Sequence, residues 1–269
     1  LYRRRGFALV SGLNPLHWNG TADVPFTWLV KDGVSWTDGL GIALQEVYLL
    51  ETLAAVYRPK RILVIGNSFG WSALAIALAN PEAQVVAMDA GFDRNSVAGL
   101  ELTNAIAAEA GLKLRAVKAV SPQDMKRVAG EFDGPVDFAF IDGKHTNEQI
   151  VLDWRAVHEV AAPDAVFLFH DVHAWKLHDG VARIGAESGL EIKLLLATPS
   201  GMALGYPKAL GPVFASTLAV FAPGPEALGV IEAAAWRKAH RNRLRWRRSL
   251  VKRGNAVRQW LGRPALPLP

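Results

Sequence analysis

The sequence predicts an α/β fold: a Rossmann-like, seven-stranded, mostly parallel sheet with helices on both faces. Short β-branched apolar runs recur along the chain, at RILVIG (61–66), QVVAMDA (84–90), LRAVKA (114–119), VDFAFIDG (136–143) and AVFLFHD (165–171). Segments with helical apolar spacing separate them. In all of these but LRAVKA, which carries Arg115 and Lys118, the apolar residues are nearly continuous instead of alternating, the pattern of strands covered on both faces.

Taken in order, residues 1–39 form an N-terminal extension in which turn residues mix with aromatics, as in LNPLHWNGTADVPFTW. It is read as a packed extension or a substrate cap, with Trp18, Phe26, Trp28 and Trp36 as candidates for a pocket wall. LGIALQEVYLLETLAAVY (40–57) has helical spacing and stops before Pro59, because the residue ahead of a proline resists helical geometry. The first strand, RILVIG, leads through a glycine turn into the helix SALAIALA (72–79). After QVVAMDA come the helix SVAGLELTNAIAAEAG, the strands at 114–119 and 136–143, the helix TNEQIVLDWRAVHEVAA and the strand at 165–171. IKLLLAT (192–198) and VFASTLAVFAP (213–223) are expected to complete the sheet, joined by the turn-rich TPSGMALGYPKALG. The main domain is thus expected over 40–223, followed by a basic, partly helical tail over 224–269.

With 269 residues, 51% of them hydrophobic, the chain can bury a substantial core. It has no cysteine, which excludes disulfides, thiolate metal ligands and a cysteine nucleophile. No stretch reaches the roughly 18 consecutive apolar residues of a membrane span, and the expectation is a soluble, cytoplasmic protein. The net charge of +5 conceals two opposite parts. From Glu232 onward there are eleven Lys/Arg and one acidic residue, which leaves nineteen basic against twenty-four acidic residues before it. In the tail, Trp236, Leu244, Trp246, Leu250, Val257 and Trp260 alternate with arginine. Such a helix suits packing on its own domain or in a homo-oligomer, an anionic membrane surface, or a nucleic acid.

The turn at 65–70 reads IGNSFG. In an open α/β sheet, ligands bind beyond the carboxyl ends of the strands, and glycine there lets backbone approach a ligand. The GxxxG spacing of Gly66 and Gly70 lacks the GxGxxG of a pyrophosphate site and the GxxxxGK[ST] of a triphosphate loop. Asp89, twenty-three residues beyond Gly66 at the end of the second strand, suits the hydroxyls of a ribose. After the third strand, Ser121, Gln123 and Asp124 are placed to meet a purine edge. Asp142 ends the fourth strand and His170–Asp171 the fifth, so all three converge on one rim. Together they offer an O/N/O set for Mg²⁺, Mn²⁺ or another divalent ion. Lys144 and His145 follow Asp142 directly. An unperturbed histidine titrates near pH 6.5 and takes a hydroxyl proton at neutral pH, whereas a lysine needs a depressed pKa. His145 is therefore preferred over Lys144 as a base, with His170 as the competing base if no metal binds.

The ordered set IGNSFGWSALAIALA, Asp89, FAFIDGKHT and FLFHDV resembles the class I S-adenosylmethionine-dependent methyltransferases. The likeness is to the small-molecule O-methyltransferase branch, with its catechol-type enzymes and the related bacterial group carrying IDGxH and HD, and it spans roughly residues 40–220. It implies a loop of Gly66, Asn67, Ser68, Gly70, Trp71 and Ser72 beside the methionine part of the cofactor, with Ser72 helping to hold its carboxylate. It also implies Asp89 on the ribose, Ser121, Gln123 and Asp124 near the adenine, and Asp142 at the junction of cofactor and metal. Histidine at position 170 departs from the acidic or amide residue of the catechol-type pattern. The activity implied is methyl transfer to a hydroxyl of a small molecule or sugar. The alternative is a non-catalytic relative that acts through its basic tail on RNA or anionic membrane.

Overall fold

The structure, a computed structural model, describes residues 1–18, 23–92 and 96–267. The chain divides into two compact units, Leu1–Ala222 and Pro223–Pro269. The first opens with a 3₁₀ turn at Tyr2–Arg5 and a small antiparallel sheet of β1 (Ala8–Val10), β2 (Trp28–Lys31) and β3 (Val34–Ser35). There follow α1 (Leu44–Val56), β4 (Arg61–Ile65), α2 (Trp71–Ala79), β5 (Gln84–Asp89), α3 (Ser96–Ala110), β6 (Leu114–Lys118) and α4 (Met125–Ala129). Then come β7 (Val136–Ile141), α5 (Asn147–His158), β8 (Ala161–Phe169), α6 (His178–Ser188), β9 (Glu191–Leu195), β10 (Met202–Tyr206) and α7 (Gly211–Phe221). The second unit holds α8 (Pro225–Ala239) and α9 (Arg241–Trp260).

The main sheet has seven strands in the order β6-β5-β4-β7-β8-β10-β9, parallel except for β10, which runs against both β8 and β9. The central strands are buried almost throughout, so they carry apolar residues on both faces. On one side Ile62, Val64, Phe138, Phe140 and Leu168 pack with α1, α2, α3 and α7. On the other, Leu63, Ile65, Ala139, Ile141 and Phe167 pack with α4, α5 and α6. The order reverses direction at β4, whose neighbours are β5 and β7, which makes a crevice at the carboxyl ends of the strands.

Two expectations fail at the carboxyl-terminal end of the sheet. Residues 213–223 do not form a strand: they belong to α7, where Phe214, Thr217 and Phe221 recur at helical spacing and turn one face to the core. Pro212 fits its first turn, where no amide hydrogen is needed. The seventh strand is instead MALGY (β10), inside the segment expected to be a turn-rich connection. It is only five residues long, flanked by Gly201 and Pro207, and buried at every position because β8 and β9 enclose it.

The N-terminal segment joins the core of the first unit. Tyr2, Phe7 and Leu29 are buried in the same cluster as the sheet, and the Tyr2 hydroxyl donates to the carbonyl of Phe69 in the glycine turn (2.7 Å). In the second unit, α8 has no buried residue, and Val230, Ile231 and Trp236 stand exposed on it. Residues Lys208–Ala239 contain a window apolar enough by composition and length to cross a membrane, but Phe214 and Phe221 within it are committed to the core of the first unit.

Candidate active site

Backbone hydrogen bonds align the strand ends. The amide of Gly66 donates to the carbonyl of Met88, Asp142 to Ile65 and His170 to Ile141, each at 2.9–3.0 Å. The ladder therefore extends one residue past β4, β7 and β8, and it sets Gly66, Asp142 and His170 side by side on the rim.

Gly66 and Gly70 have φ of +93° and +80°, the left-handed region that favours glycine. Both glycines are required by the chain itself. A Cβ on Gly66 would collide with the carbonyl oxygen of Asp142, and one on Gly70 with the Thr103 side chain. The loop they bracket is held from two sides. Asp89 Oδ2 accepts from the amides of Asn67 (3.0 Å) and Ser68 (2.9 Å), and Oδ1 from that of Gly91 (2.9 Å). The Asn67 amide group donates to Ser68 O and Thr103 Oγ1, while its buried Oδ1 has no partner among the described residues. Trp71 is fixed by donating to the carbonyl of Ile42 (3.0 Å), and Ser72 is buried at the start of α2. Asp89 thus sits where the sequence placed it, with both oxygens already engaged by backbone amides.

Beyond β6, Asp124 Oδ2 accepts from the amide of Val120 (2.8 Å), which, ahead of the Arg127 side chain, holds its pKa below the usual carboxylate range. It shapes the turn. Ser121, on a cis peptide bond to Pro122, is half-buried, and Gln123 is exposed.

The densest chemistry lies at Asp142, His145, His170 and Asp171. His170 is only 5% exposed. Its Nδ1 lies 3.1 Å from Asp142 Oδ1 and 3.4 Å from Asp171 Oδ2, and its Nε2 lies 3.2 Å from Glu46 Oε2. Carboxylate oxygens on both sides of the ring favour a charged form in which both nitrogens donate. Burial opposes that charge, but Asp142 and Glu46 outweigh it and hold the His170 pKa well above its ordinary value. His145 Nε2 faces the same oxygens, 3.3 Å from Asp142 Oδ1 and 3.1 Å from Asp171 Oδ2. Against the cost of burial, these contacts push its pKa up to about 9. Both acids respond in the opposite sense. Burial alone would raise them, but the histidines hold Asp142 and Asp171 below the usual range.

Three further features fix this cluster. Asp171 adopts φ of +56°, an uncommon conformation for a residue other than glycine. Trp175 stacks on the His145 ring at 5.1 Å and 15°, while remaining 59% exposed. The third is Glu46 on α1, fully buried, whose Oε1 accepts from the Ser200 amide (3.0 Å) and hydroxyl and whose Oε2 accepts from the Ala43 amide (2.8 Å).

A small cavity beside the cluster is lined by Asp142, Lys144, His145, Asp153, His170 and Leu177. Lys144 is exposed at its mouth. Asp153 is 2% exposed, and burial raises its pKa although Gln149 donates to it (2.8 Å). The proposed wall aromatics do not gather here. Trp36 packs against Phe7 and Phe69, Trp28 Nε1 donates to the carbonyl of Asp23, and Trp18 is exposed.

Sequence reading missed Glu46 and Ser200 and left Asp153 outside the catalytic set. Glu46 carried a signal: it is a charged residue on the helix face otherwise occupied by Ala43, Leu49, Leu50 and Leu53. Asp153 lies likewise between Ile150 and Trp154 on the buried face of α5.

The comparisons with known proteins bear on the fold and on the rim it builds. Residues 63–172, from within β4 to just beyond β8, match the family described as a methyltransferase domain, a match over less than half of the chain. Among solved structures of like fold, a Staphylococcus aureus protein described as a caffeoyl-CoA O-methyltransferase is 13% identical, with 61% of this chain and 84% of that one covered at a TM-score of 0.51. The cofactor-bound protein Rv0187 from MTB is 22% identical, with coverage of 62% and 81% and a TM-score of 0.50. A methyltransferase from Geobacter sulfurreducens is 19% identical, with coverage of 61% and 79% and a TM-score of 0.50. At these identities the likeness establishes the fold. No curated protein matches the chain in sequence.

Proposed function

We propose that the chain transfers a methyl group from S-adenosylmethionine to a hydroxyl oxygen of a small molecule or sugar. The observation that carries this reading is the rim itself. A glycine loop clasped by Asp89 stands beside a half-buried Asp142–His145–His170–Asp171 cluster, at the switch point of the sheet. The loop of Gly66, Asn67, Ser68, Gly70, Trp71 and Ser72 would hold the methionine part of the cofactor. Asp89 would hold the ribose, and Ser121 and Gln123 would lie toward the adenine. The buried Asn67 Oδ1, which has no partner among the described residues, fits a polar ligand at this loop. When bound, the cofactor supplies an electrophilic methyl on a sulfonium, so no protein nucleophile is needed and alignment carries much of the rate.

Asp142, His170 and Asp171 present donor atoms within 4.8 Å of one another, a set that fits a divalent cation. When bound there, such an ion supplies a Lewis acid that lowers the pKa of an acceptor hydroxyl. His145 is the chain's own proton carrier. Its raised pKa comes from Asp142 and Asp171, and a bound partner that draws on those carboxylates returns it toward 6.5. In that range a histidine takes a hydroxyl proton at neutral pH, and stacking on Trp175 holds the ring in one plane meanwhile.

The test is transfer of labelled methyl from S-adenosylmethionine to a panel of phenolic and sugar hydroxyl acceptors, before and after exhaustive chelation. The reading predicts turnover that chelation removes and a divalent ion restores. Full turnover after chelation would leave the reaction to His145 without a metal.

A further inference from the structure

Glu46 is the one carboxylate of the cluster that does not come from the strand ends. It is fully enclosed, 124 residues from His170 in sequence, and its four hydrogen-bond partners fill the acceptor sites of a carboxylate. The Ser200 amide and hydroxyl fix Oε1, and the Ala43 amide fixes Oε2 from the start of α1. What remains of Oε2 points at His170 Nε2. The imidazole is therefore oriented from behind, with Nδ1 aimed at Asp142 and Asp171.

We propose that Glu46 is a positioning residue that makes this a nitrogen-preferring metal centre, which takes a divalent transition ion in the range from Fe²⁺ to Zn²⁺ ahead of Mg²⁺. The inference rests on the divalent-ion part of the function proposed above. By holding the proton on Nε2, Glu46 assigns the lone pair of a neutral His170 to Nδ1, the carboxylate–histidine–metal arrangement that orients ligating imidazoles and raises their basicity. The distances suit it. Nδ1 stands 3.1 Å and 3.4 Å from the two carboxylate oxygens, close to the ~3 Å separating adjacent ligands whose bonds to a cation are about 2.0–2.2 Å long. The donor set selects in the same direction, since Mg²⁺ favours an all-oxygen shell and imidazole suits the later first-row ions.

The test uses the full chain, freed of metal, with Co²⁺ and Mg²⁺ titrated separately by calorimetry and the Co²⁺ site followed by its visible spectrum. Co²⁺ is expected to bind at least 100-fold more tightly than Mg²⁺. Glu46→Gln should weaken Co²⁺ by about 10–100-fold and alter its spectrum, with Mg²⁺ affinity moved far less. His170→Asp should erase the preference by returning the site to oxygen donors, and it decides the matter if Glu46→Gln fails to fold. Mg²⁺ binding as tightly as Co²⁺, or a Co²⁺ preference that survives His170→Asp, would overturn the proposal. So would a folded Glu46→Gln protein with an unchanged Co²⁺ spectrum and affinity. S-adenosylmethionine binding to the metal-free chain is measured in parallel. Its persistence without a metal preference sinks only the role of Glu46, whereas its absence sinks the methyltransferase reading and leaves the metal titrations to be judged by themselves.

Discussion

Asp89 and Asp171 both follow the buried core of a parallel strand and lie on one rim, yet their surroundings differ. Asp89 is bound by three backbone amides and shapes the glycine loop. Asp171 is faced by two imidazole rings, on a backbone held in a left-handed conformation. The first carboxylate is satisfied by groups that cannot change charge, and the second by groups that can. Under the proposed function, this difference divides the rim into a half that would hold the cofactor and a half in which protons and cations would exchange.

Substitutions at the two acids should separate these halves. The largest effect is expected from Asp171→Ala, which removes a carboxylate from the charged cluster. Turnover should fall roughly 10³-fold, a size typical of losing a catalytic electrostatic group, while cofactor affinity stays within a few-fold. Equal losses in both would merge the halves. Asp89→Ala should show the opposite split. It leaves the amides of Asn67, Ser68 and Gly91 without their acceptor, at a cost of about 1–3 kcal/mol for each amide that water does not reach. Cofactor affinity should drop at least tenfold, and denaturant melts should report the loss of stability.

A smaller effect sharpens the comparison through pH. The His145 pKa is raised to about 9, above the ~6.5 of an unfolded chain. Its contribution to stability is thus complete below pH ~6.5 and disappears as pH rises through 9. Asp142 and Asp171 are depressed, so their contribution is present above pH ~4 and lost as pH falls. In metal-free protein the melting temperature should decline between pH 6.5 and 9, and His145→Gln should flatten that decline. An identical slope in the variant would place the titration elsewhere.

The two halves were also unequally legible in the sequence. β4, β5, β7 and β8 could be read because strands covered on both faces are continuous apolar runs ended by glycine or a charge, whereas the edge strand β6 has exposed positions and carries Arg115. Asp89, Asp142, His170 and Asp171 could be placed because each closes such a run. The purpose of Gly66 and Gly70 could not be read. Their spacing suggested room for a ligand, whereas the chain's own Asp142 carbonyl and Thr103 occupy the space where a Cβ would go. β10 was hidden by its length and flanking turn residues, and α7 by an aromatic, β-branched composition that imitates a strand. Glu46 stood out on the apolar face of α1, but its pairing with His170 spans 124 residues, and no local pattern encodes that partner. The raised pKa of His145 depends likewise on Asp171, supplied by a different strand end.

The central claim is that the loop clasped by Asp89 is an S-adenosylmethionine site within reach of the acid–histidine cluster. Calorimetry of the wild-type chain with S-adenosylmethionine and its demethylated product tests it most directly. The account predicts one site for each ligand, weakened at least tenfold by Asp89→Ala and nearly untouched by Asp171→Ala. Folded wild-type protein that binds neither ligand would contradict it.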